Sequence, residues 1–426
     1  MGESVIPRRL AGSVELLRSN APYRRYAAAR LSSTLGTTVA PLGLAFAVIA
    51  GGGGAGALSG VLLAELLAFL AVTPVAGVLA DRLPRKRIII AAQVANACLQ
   101  TVAAVLVATG TATVAALAGL GVIAGATAAC FQPAMKSVLA ALVAPEALVE
   151  ANALIQIGGN LVAIGGPALA GLVIAVGGAH WVLAWDAFTY AVAAVVFRTL
   201  RLPPADRARR RPRFWTDLTE GWTAFTGRRW LWVLTMLSMV TSACWAALTV
   251  LGPIYSVRYL DGAISWGLIN SSIGIGLITG SVTALLLRPA RVGVVVCAAA
   301  IPEGLLLVSL AAGAPLPVIA VAAGATGAAG TIQLVTWMSF LQRTIPDVQL
   351  SRILATTAAL GTLLTPVSYA LAGPLSELAG VRPVLWGCAA LALSGAAVAA
   401  CVRDVRHATP GSGPAPAPSP RPVPLD

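Results

Sequence analysis

Uncharged apolar stretches of about 20 residues or more recur along the whole chain, and residues 102–129 and 354–376 are the clearest of them. A helix of about 20 residues crosses the hydrocarbon core of a bilayer. A membrane β-barrel would instead need segments of about 10 residues in which polar and apolar side chains alternate. We therefore predict an all-α, polytopic membrane fold.

The breaks between the apolar stretches predict twelve transmembrane helices. Their predicted bounds are 27–50, 57–80, 88–109, 112–141, 152–176, 180–198, 230–252, 264–287, 292–313, 316–341, 352–375 and 382–402. We number them spans 1 to 12.

The longest polar interruption divides the spans six and six. We predict an N-terminal six-helix bundle over 1–200, a cytoplasmic basic linker over 201–229 and a C-terminal six-helix bundle over 230–405. Residues 406–426 are rich in proline and predict a disordered tail. An offset of 201 residues pairs Gln132 with Gln333 and Trp185 with Trp386, as an internal duplication would.

Basic side chains lie on alternate connections between the spans. With the N-terminus inside, all of the 29 Lys and Arg residues except Arg258 and Arg382 fall on one side. Such an imbalance marks the cytoplasmic side of a membrane protein. We therefore predict a monomer in the plasma membrane with both termini cytoplasmic, in contact with lipid and not with nucleic acid.

The charged stretch GVLADRLPRKR, at 77–87, joins spans 2 and 3 and resembles the signature loop of the major facilitator superfamily. Pro84 stands where that loop usually has glycine. With ADRLPRKR, PEALVEANAL and LAGPL, the chain is most similar to the drug- and macrolide-efflux branch, which also holds siderophore exporters. The resemblance implies two six-helix bundles that alternate access to a central cavity. The residues that match the loop are Gly77, Asp81, Arg82, Arg85 and Lys86.

The resemblance implies that this loop lies against the start of span 11, near Leu350. A helix N-terminus carries about half a positive charge, which a carboxylate stabilises. Asp81 would then hold the two halves closed on the inner side and release them when the carrier opens inward. The alternative is that the loop cations only orient the chain in the membrane, namely Arg82, Arg85, Lys86 and Arg87.

Span 5 contains LVAIGGPALAGL, which partly resembles the antiporter signature of exporters in this superfamily. Gly166, Pro167 and Gly171 match it, whereas Val162 and Ala170 replace two of its glycines. The resemblance favours export, while ordinary packing of small residues between helices is the alternative. The run GGGGAG at 51–56 predicts a flexible outer turn.

Three carboxylates, Glu65, Asp186 and Glu303, fall inside predicted spans. A charge at mid-membrane costs roughly 2.5–3.5 kcal/mol, so such residues are candidates for proton coupling. Glu65 is the first choice, because the resemblance implies that span 2 borders the cavity. A helix cap is the alternative for Asp186, and a neutral hydrogen-bonded site beside Pro302 is the alternative for Glu303.

The resemblance also implies a substrate cavity lined mainly by spans 1, 4, 7 and 10. That cavity would be mostly apolar and aromatic, with a few amide and hydroxyl groups, which suits a bulky amphipathic molecule. Each candidate could instead be a contact between helices. The candidates for its lining are Arg30, Ser33, Thr37, Gln132, Trp245, Gln333 and Trp337.

These patterns predict a transporter and not an enzyme. We expect proton-driven export of a lipophilic or amphipathic small molecule, such as a drug, antibiotic or secondary metabolite, with no metal or cofactor. Multidrug resistance would be one outcome of such efflux. The alternatives are an uptake or lipid-moving carrier of the same fold, and a transport-inactive membrane sensor.

Overall fold

The computed structural model describes residues 17–135, 138–144, 147–200, 222, 225–286, 291–345 and 347–406, and it leaves some side chains within these ranges undescribed. Within them, twelve helices are long and apolar enough to cross a bilayer. This confirms the predicted all-α, twelve-helix fold. The basic linker, apart from 222 and 225–229, and the tail after Arg406 lie outside the described residues.

The helices that correspond to the twelve spans are numbered α1 to α12, and α11 consists of two pieces. Two short helices, Val138–Leu142 and Arg403–Arg406, accompany them. The bounds are α1 Ala21–Ala50, α2 Ala55–Arg82, α3 Arg85–Ala108, α4 Val114–Met135, α5 Leu148–Gly177, α6 Ala179–Thr199, α7 Arg229–Tyr259, α8 Ala263–Leu286, α9 Val292–Ala312, α10 Leu316–Thr344, α11a Asp347–Gly361, α11b Thr365–Ala379 and α12 Val381–Cys401.

Two helix ends differ clearly from the predicted bounds. Helix α1 begins before residue 27, because the Asn20 side chain caps it by accepting a hydrogen bond of 2.9 Å from the Tyr23 N–H. Helix α7 continues through Pro253 to Tyr259, since a membrane helix tolerates proline where neighbouring groups satisfy the backbone.

Span 11, predicted over 352–375, crosses as one span but consists of two helical pieces. The helix breaks between Gly361 and Thr365. Pro366, in the first turn of α11b, has no N–H and would collide with the carbonyl of Thr362 if the helix continued. Tight three-residue turns replace the helical bonds there, including one from the Thr365 N–H to the Thr362 carbonyl at 3.0 Å.

The bundle has two chemically distinct ends. We define the basic end as the one where α1 begins, and contacts between helix termini assign the others to it or to the opposite end. Lys86 at the start of α3 bonds the carbonyl of Arg198 at the end of α6. At the opposite end, the Arg382 guanidinium lies 4.3 Å above the Tyr259 ring. Among the described cations, only Arg258 and Arg382 lie at this opposite end.

Buried apolar residues show where the two sets of six helices meet. Near the opposite end they form one continuous cluster with members from α1 to α12, including Phe46, Leu251 and Leu385. Toward the basic end, one cluster around Tyr23 belongs to α1–α6 and its connections, and separate clusters belong to α7–α12. The two halves therefore share a core at the opposite end and separate toward the basic end.

Candidate functional site

A cavity of about 980 Å³ is lined mainly by residues of the first six helices. Near the basic end its lining includes Tyr26, Arg30 and Asn152, and at its deep end it includes Leu62 and Leu117. Thr249 of α7 and Tyr369 of α11b are the residues of the second half in this lining. Among the described residues, the cavity extends toward the basic end, where the apolar clusters of the two halves separate.

Four of the predicted cavity residues line this cavity, namely Arg30, Ser33, Thr37 and Gln132. The other three, Trp245, Gln333 and Trp337, are described residues that are not in its lining. Trp337 packs edge-on against Trp230, with ring centroids 6.0 Å apart, inside the second half. Trp245 is 40% exposed on the surface of α7.

Glu65 lines the cavity, as its assignment to proton coupling requires. It lies where α2 crosses α4 closely: a Cβ atom at Gly121 would lie 3.6 Å from the Glu65 Cβ, and one at Gly125 would overlap the Glu65 carbonyl oxygen. Tyr190 of α6 and Tyr369 of α11b are both within electrostatic range of the Glu65 carboxyl group. Glu65 thus shares the cavity wall with two tyrosines, and its helix lies close to α4 at two glycines.

Asp186 lies behind the cavity wall and is fully buried between α6 and α1. Thr189 of α6 and Gln100 of α3 lie beside its carboxyl group. A Cβ atom at Gly36 would overlap both Asp186 Oδ1 and Thr189 Oγ1, so the glycine makes room for the carboxyl group. Asp186 is deep inside the first half and does not cap the start of α6.

Glu303 lies in the second half and is not in the cavity lining. Its Oε1 atom is buried without a hydrogen-bond partner among the described residues. Helix α9 packs there against α12, where a Cβ atom at Gly304 would come within 2.5 Å of Leu393. The three candidate carboxylates therefore occupy three different environments, and only Glu65 faces the cavity.

Helix α3 contributes a row of amides to the cavity that the sequence analysis did not select. Gln93, Asn96 and Gln100 follow one another at helical spacing and all line the cavity. Asn96 accepts a hydrogen bond of 3.2 Å from the Thr127 hydroxyl of α4. Their spacing of three and four residues places them on one helix face, and this was the signal available in the sequence.

The antiporter-like residues lie where the two halves touch. Helix α5 crosses α8 so closely that a Cβ atom at Gly171 would overlap the Ala263 carbonyl oxygen. A Cβ atom at Gly267 would lie 2.5 Å from the Pro167 carbonyl oxygen. Gly166 faces α1 instead, since a Cβ atom added to it would have Val39 Cγ1 as its nearest neighbour, at 3.4 Å.

A second contact between the halves joins α2 and α11b at the opposite end. The Gly56 N–H donates a hydrogen bond of 2.8 Å to Glu377 Oε1. One turn further, the Gly373 N–H donates to Ser59 Oγ at 2.9 Å. The Gly171–Ala263 approach and the Gly56–Glu377 hydrogen bond both lie toward the opposite end, whereas the described cavity extends toward the basic end.

The signature loop is only partly described. The side chains of Gly77, Asp81 and Arg82 lie outside the described residues, and so does the predicted contact of Asp81 with span 11. Lys86 donates hydrogen bonds of 2.8 and 2.7 Å to the carbonyls of Arg198 and Leu200. Lysine near a helix C-terminus stabilises the exposed carbonyls, so Lys86 fastens α3 to α6 within the first half. Arg85 is half-buried in the first turn of α3.

Known structures share this fold. The nucleoside transporter NupG, as its D323A mutant, is 14% identical, with a TM-score of 0.71, over 88% of this chain and 98% of that one. A bacterial homologue of the iron transporter ferroportin, in an inward-facing state, is 16% identical with a TM-score of 0.69, over 91% and 100%. The peptide transporter POT is 12% identical with a TM-score of 0.69, over 92% and 96%. The search among curated proteins found no match.

Twelve membrane-crossing helices in two halves that share a cavity are typical of a membrane transport protein. The family comparison agrees, because residues 26–302 match the Major Facilitator Superfamily. The chain belongs to that superfamily.

Proposed function

We propose that this transporter exports amphipathic small molecules from the cytoplasm across the plasma membrane, driven by protons entering in exchange. The observation that carries the proposal is the position of Glu65, a carboxylate in the wall of the cavity that the α3 amides also line. The residues 201–229 linker and both termini are cytoplasmic in this proposal. The imbalance of cations between the two ends supports that orientation.

The lining of the cavity supports an amphipathic substrate. Leu66, Phe69 and Leu120 offer apolar surface, while the amides of α3 offer donors and acceptors. Sites for organic ligands usually combine an apolar wall with a few convergent polar groups. Arg30 adds a positive charge to the half of the cavity nearer the basic end. A molecule with one apolar face and one hydrogen-bonding face fits both walls.

Proton coupling through Glu65 would work by exchange at one cavity. In the state open to the outside, Glu65 takes up a proton and the substrate leaves. In the state open to the cytoplasm, the proton leaves and a new substrate enters. One charge moved across 100 mV yields about 2.3 kcal/mol, enough for roughly 50-fold accumulation per proton.

The test uses purified protein in vesicles with an imposed pH gradient and a panel of fluorescent amphipathic compounds that includes neutral, cationic and anionic members. We expect Glu65→Gln to abolish accumulation driven by the gradient while exchange of substrate for substrate continues. Glu303→Gln is the matched control, because it changes a buried carboxylate outside the cavity and should leave coupling intact. Full pH-driven accumulation by Glu65→Gln would remove Glu65 from the mechanism.

The same experiment separates the two alternatives. An uptake or lipid-moving carrier of this fold would move its substrate with the proton, or would move labelled lipid between leaflets. A transport-inactive sensor would show no flux of any compound.

A further inference from the structure

We propose that Glu377 is a latch that holds the two halves of the transporter together at the opposite end of the bundle. The inference concerns the transition between the inward-open and outward-open conformations. It rests on the proposed function, which includes alternating access. It would assign a role to the GGGGAG run at 51–56, which the sequence analysis treated only as a turn.

Helix α2 begins without a capping side chain of its own. Its N-cap residue is Gly54, which offers no side-chain acceptor to the first free N–H groups. Those groups need partners, and a helix N-terminus favours a negative charge beside it. Glu377, more than 300 residues away in the other half, accepts from the Gly56 N–H at 2.8 Å. The cap of α2 is therefore supplied across the boundary between the halves.

The glycines make this approach possible. A Cβ atom at Gly56 would lie 2.7 Å from Glu377 Oε1, and one at Gly54 would lie 3.2 Å from the same atom. On the other helix, a Cβ atom at Gly373 would lie 2.6 Å from the Ala55 carbonyl oxygen. A side chain at Gly373 would meet the backbone of α2 and keep the two helices apart, whereas one at Gly56 would displace the Glu377 carboxylate from the N–H group that it caps. Gly56 and Gly373 thus serve the contact between the halves.

A second hydrogen bond fixes the register of the two helices. Ser59 and Gly373 each lie about one helical turn from the first pair, and they are joined at 2.9 Å. Both pairs must separate when α2 and α11b move apart to open this end. Breaking them is therefore part of the free energy of opening, and Glu377 stabilises the state that is open at the basic end.

The position of Glu377 mirrors the one that the sequence predicts for Asp81. Glu377 lies in the last turn of α11b and meets the first turn of α2. Asp81 lies in the last turn of α2 and is predicted to meet the start of span 11. Each end of the same helix pair would then carry one carboxylate latch, and the two latches would engage in alternate states.

The test measures the distance between spin labels at the opposite end by pulsed electron resonance. Labels at Thr111 and Pro317, which are exposed and lie one in each half, report opening, in a protein whose exposed Cys98 and Cys401 are changed to alanine. Glu377→Gln keeps a hydrogen-bond acceptor but removes the charge, and Glu377→Ala removes both. Asp261→Asn is the matched control, since Asp261 is an exposed carboxylate at the same end, in the connection between α7 and α8.

We expect Glu377→Gln to raise the ratio of outward-open to inward-open molecules roughly two- to fivefold, the range typical of charges at exposed helix N-termini. Glu377→Ala should shift it further, and Asp261→Asn should leave it unchanged. Distance distributions that are the same in all three variants and the parent would overturn the latch. Because the distances need no substrate, a shift without any transport would retain the latch and reject the proposed function.

Discussion

Gly171→Ala tests whether the close crossing of α5 and α8 holds the transporter closed at the opposite end. The added Cβ atom would overlap the Ala263 carbonyl oxygen and lie 3.1 Å from its carbonyl carbon and 3.3 Å from Gly267 Cα. All three are backbone atoms, so no side chain can rotate away. The helices must separate locally to accept the methyl group.

The magnitude follows from these contacts. Forcing an extra methyl group into a packed contact costs about 1–3 kcal/mol. Only the state in which α5 and α8 touch at this point carries that cost, so the ratio of outward-open to inward-open molecules should rise roughly 5- to 150-fold. The gain in helix propensity from glycine to alanine, up to about 1 kcal/mol, applies to both states and cancels from the ratio.

The assay is the same pair of spin labels at Thr111 and Pro317. Gly165→Ala is the matched control, because it makes the same exchange on the same helix at a position with no atom within 4 Å of the added Cβ. We expect a shift for Gly171→Ala and none for Gly165→Ala. Equal distance distributions for the two variants would show that this crossing does not separate during the cycle.

Two other variants test the first half of the protein. Gln100→Leu removes a hydrogen-bonding group from the cavity, so it should weaken the apparent affinity for a polar substrate about five- to tenfold, the usual net value of one hydrogen bond. Transport assays compare this variant with Thr101→Val, which changes an exposed neighbour. Equal affinities of the two variants would contradict the role of the amides. Lys86→Met removes both bonds to the end of α6 and should lower the free energy of unfolding by about 1–2 kcal/mol. Thermal unfolding in detergent measures the change against Arg87→Met, and the same apparent Tm for both variants would show that these bonds contribute no net stability.

Local signals in the sequence account for most of the fold and for part of the site. The apolar stretches located all twelve helices, because each must satisfy its own backbone hydrogen bonds across the bilayer. Helix periodicity also brings Ser33 and Thr37 to one face of α1, and both line the cavity. The break in span 11 was missed, although Pro366 marked it.

Three assignments in the second half stay predictions. Trp245, Gln333 and Trp337 were selected from their spans alone, and none lines the described cavity. The face that a helix turns toward the cavity depends on its rotation against its neighbours. A membrane helix that is apolar all round has little amphipathic pattern, so its sequence does not indicate this rotation.

The sequence by itself determined which segments cross the membrane, and the distribution of its cations predicts which way they run, because both depend on residues close together in the chain. Only the tertiary structure decided that Glu65 faces the cavity while Asp186 and Glu303 do not. It also decided that Glu377 caps a helix that begins more than 300 residues earlier. Such contacts depend on how the two six-helix bundles pack against each other. The separation of two residues along the chain does not indicate how close that packing brings them in space.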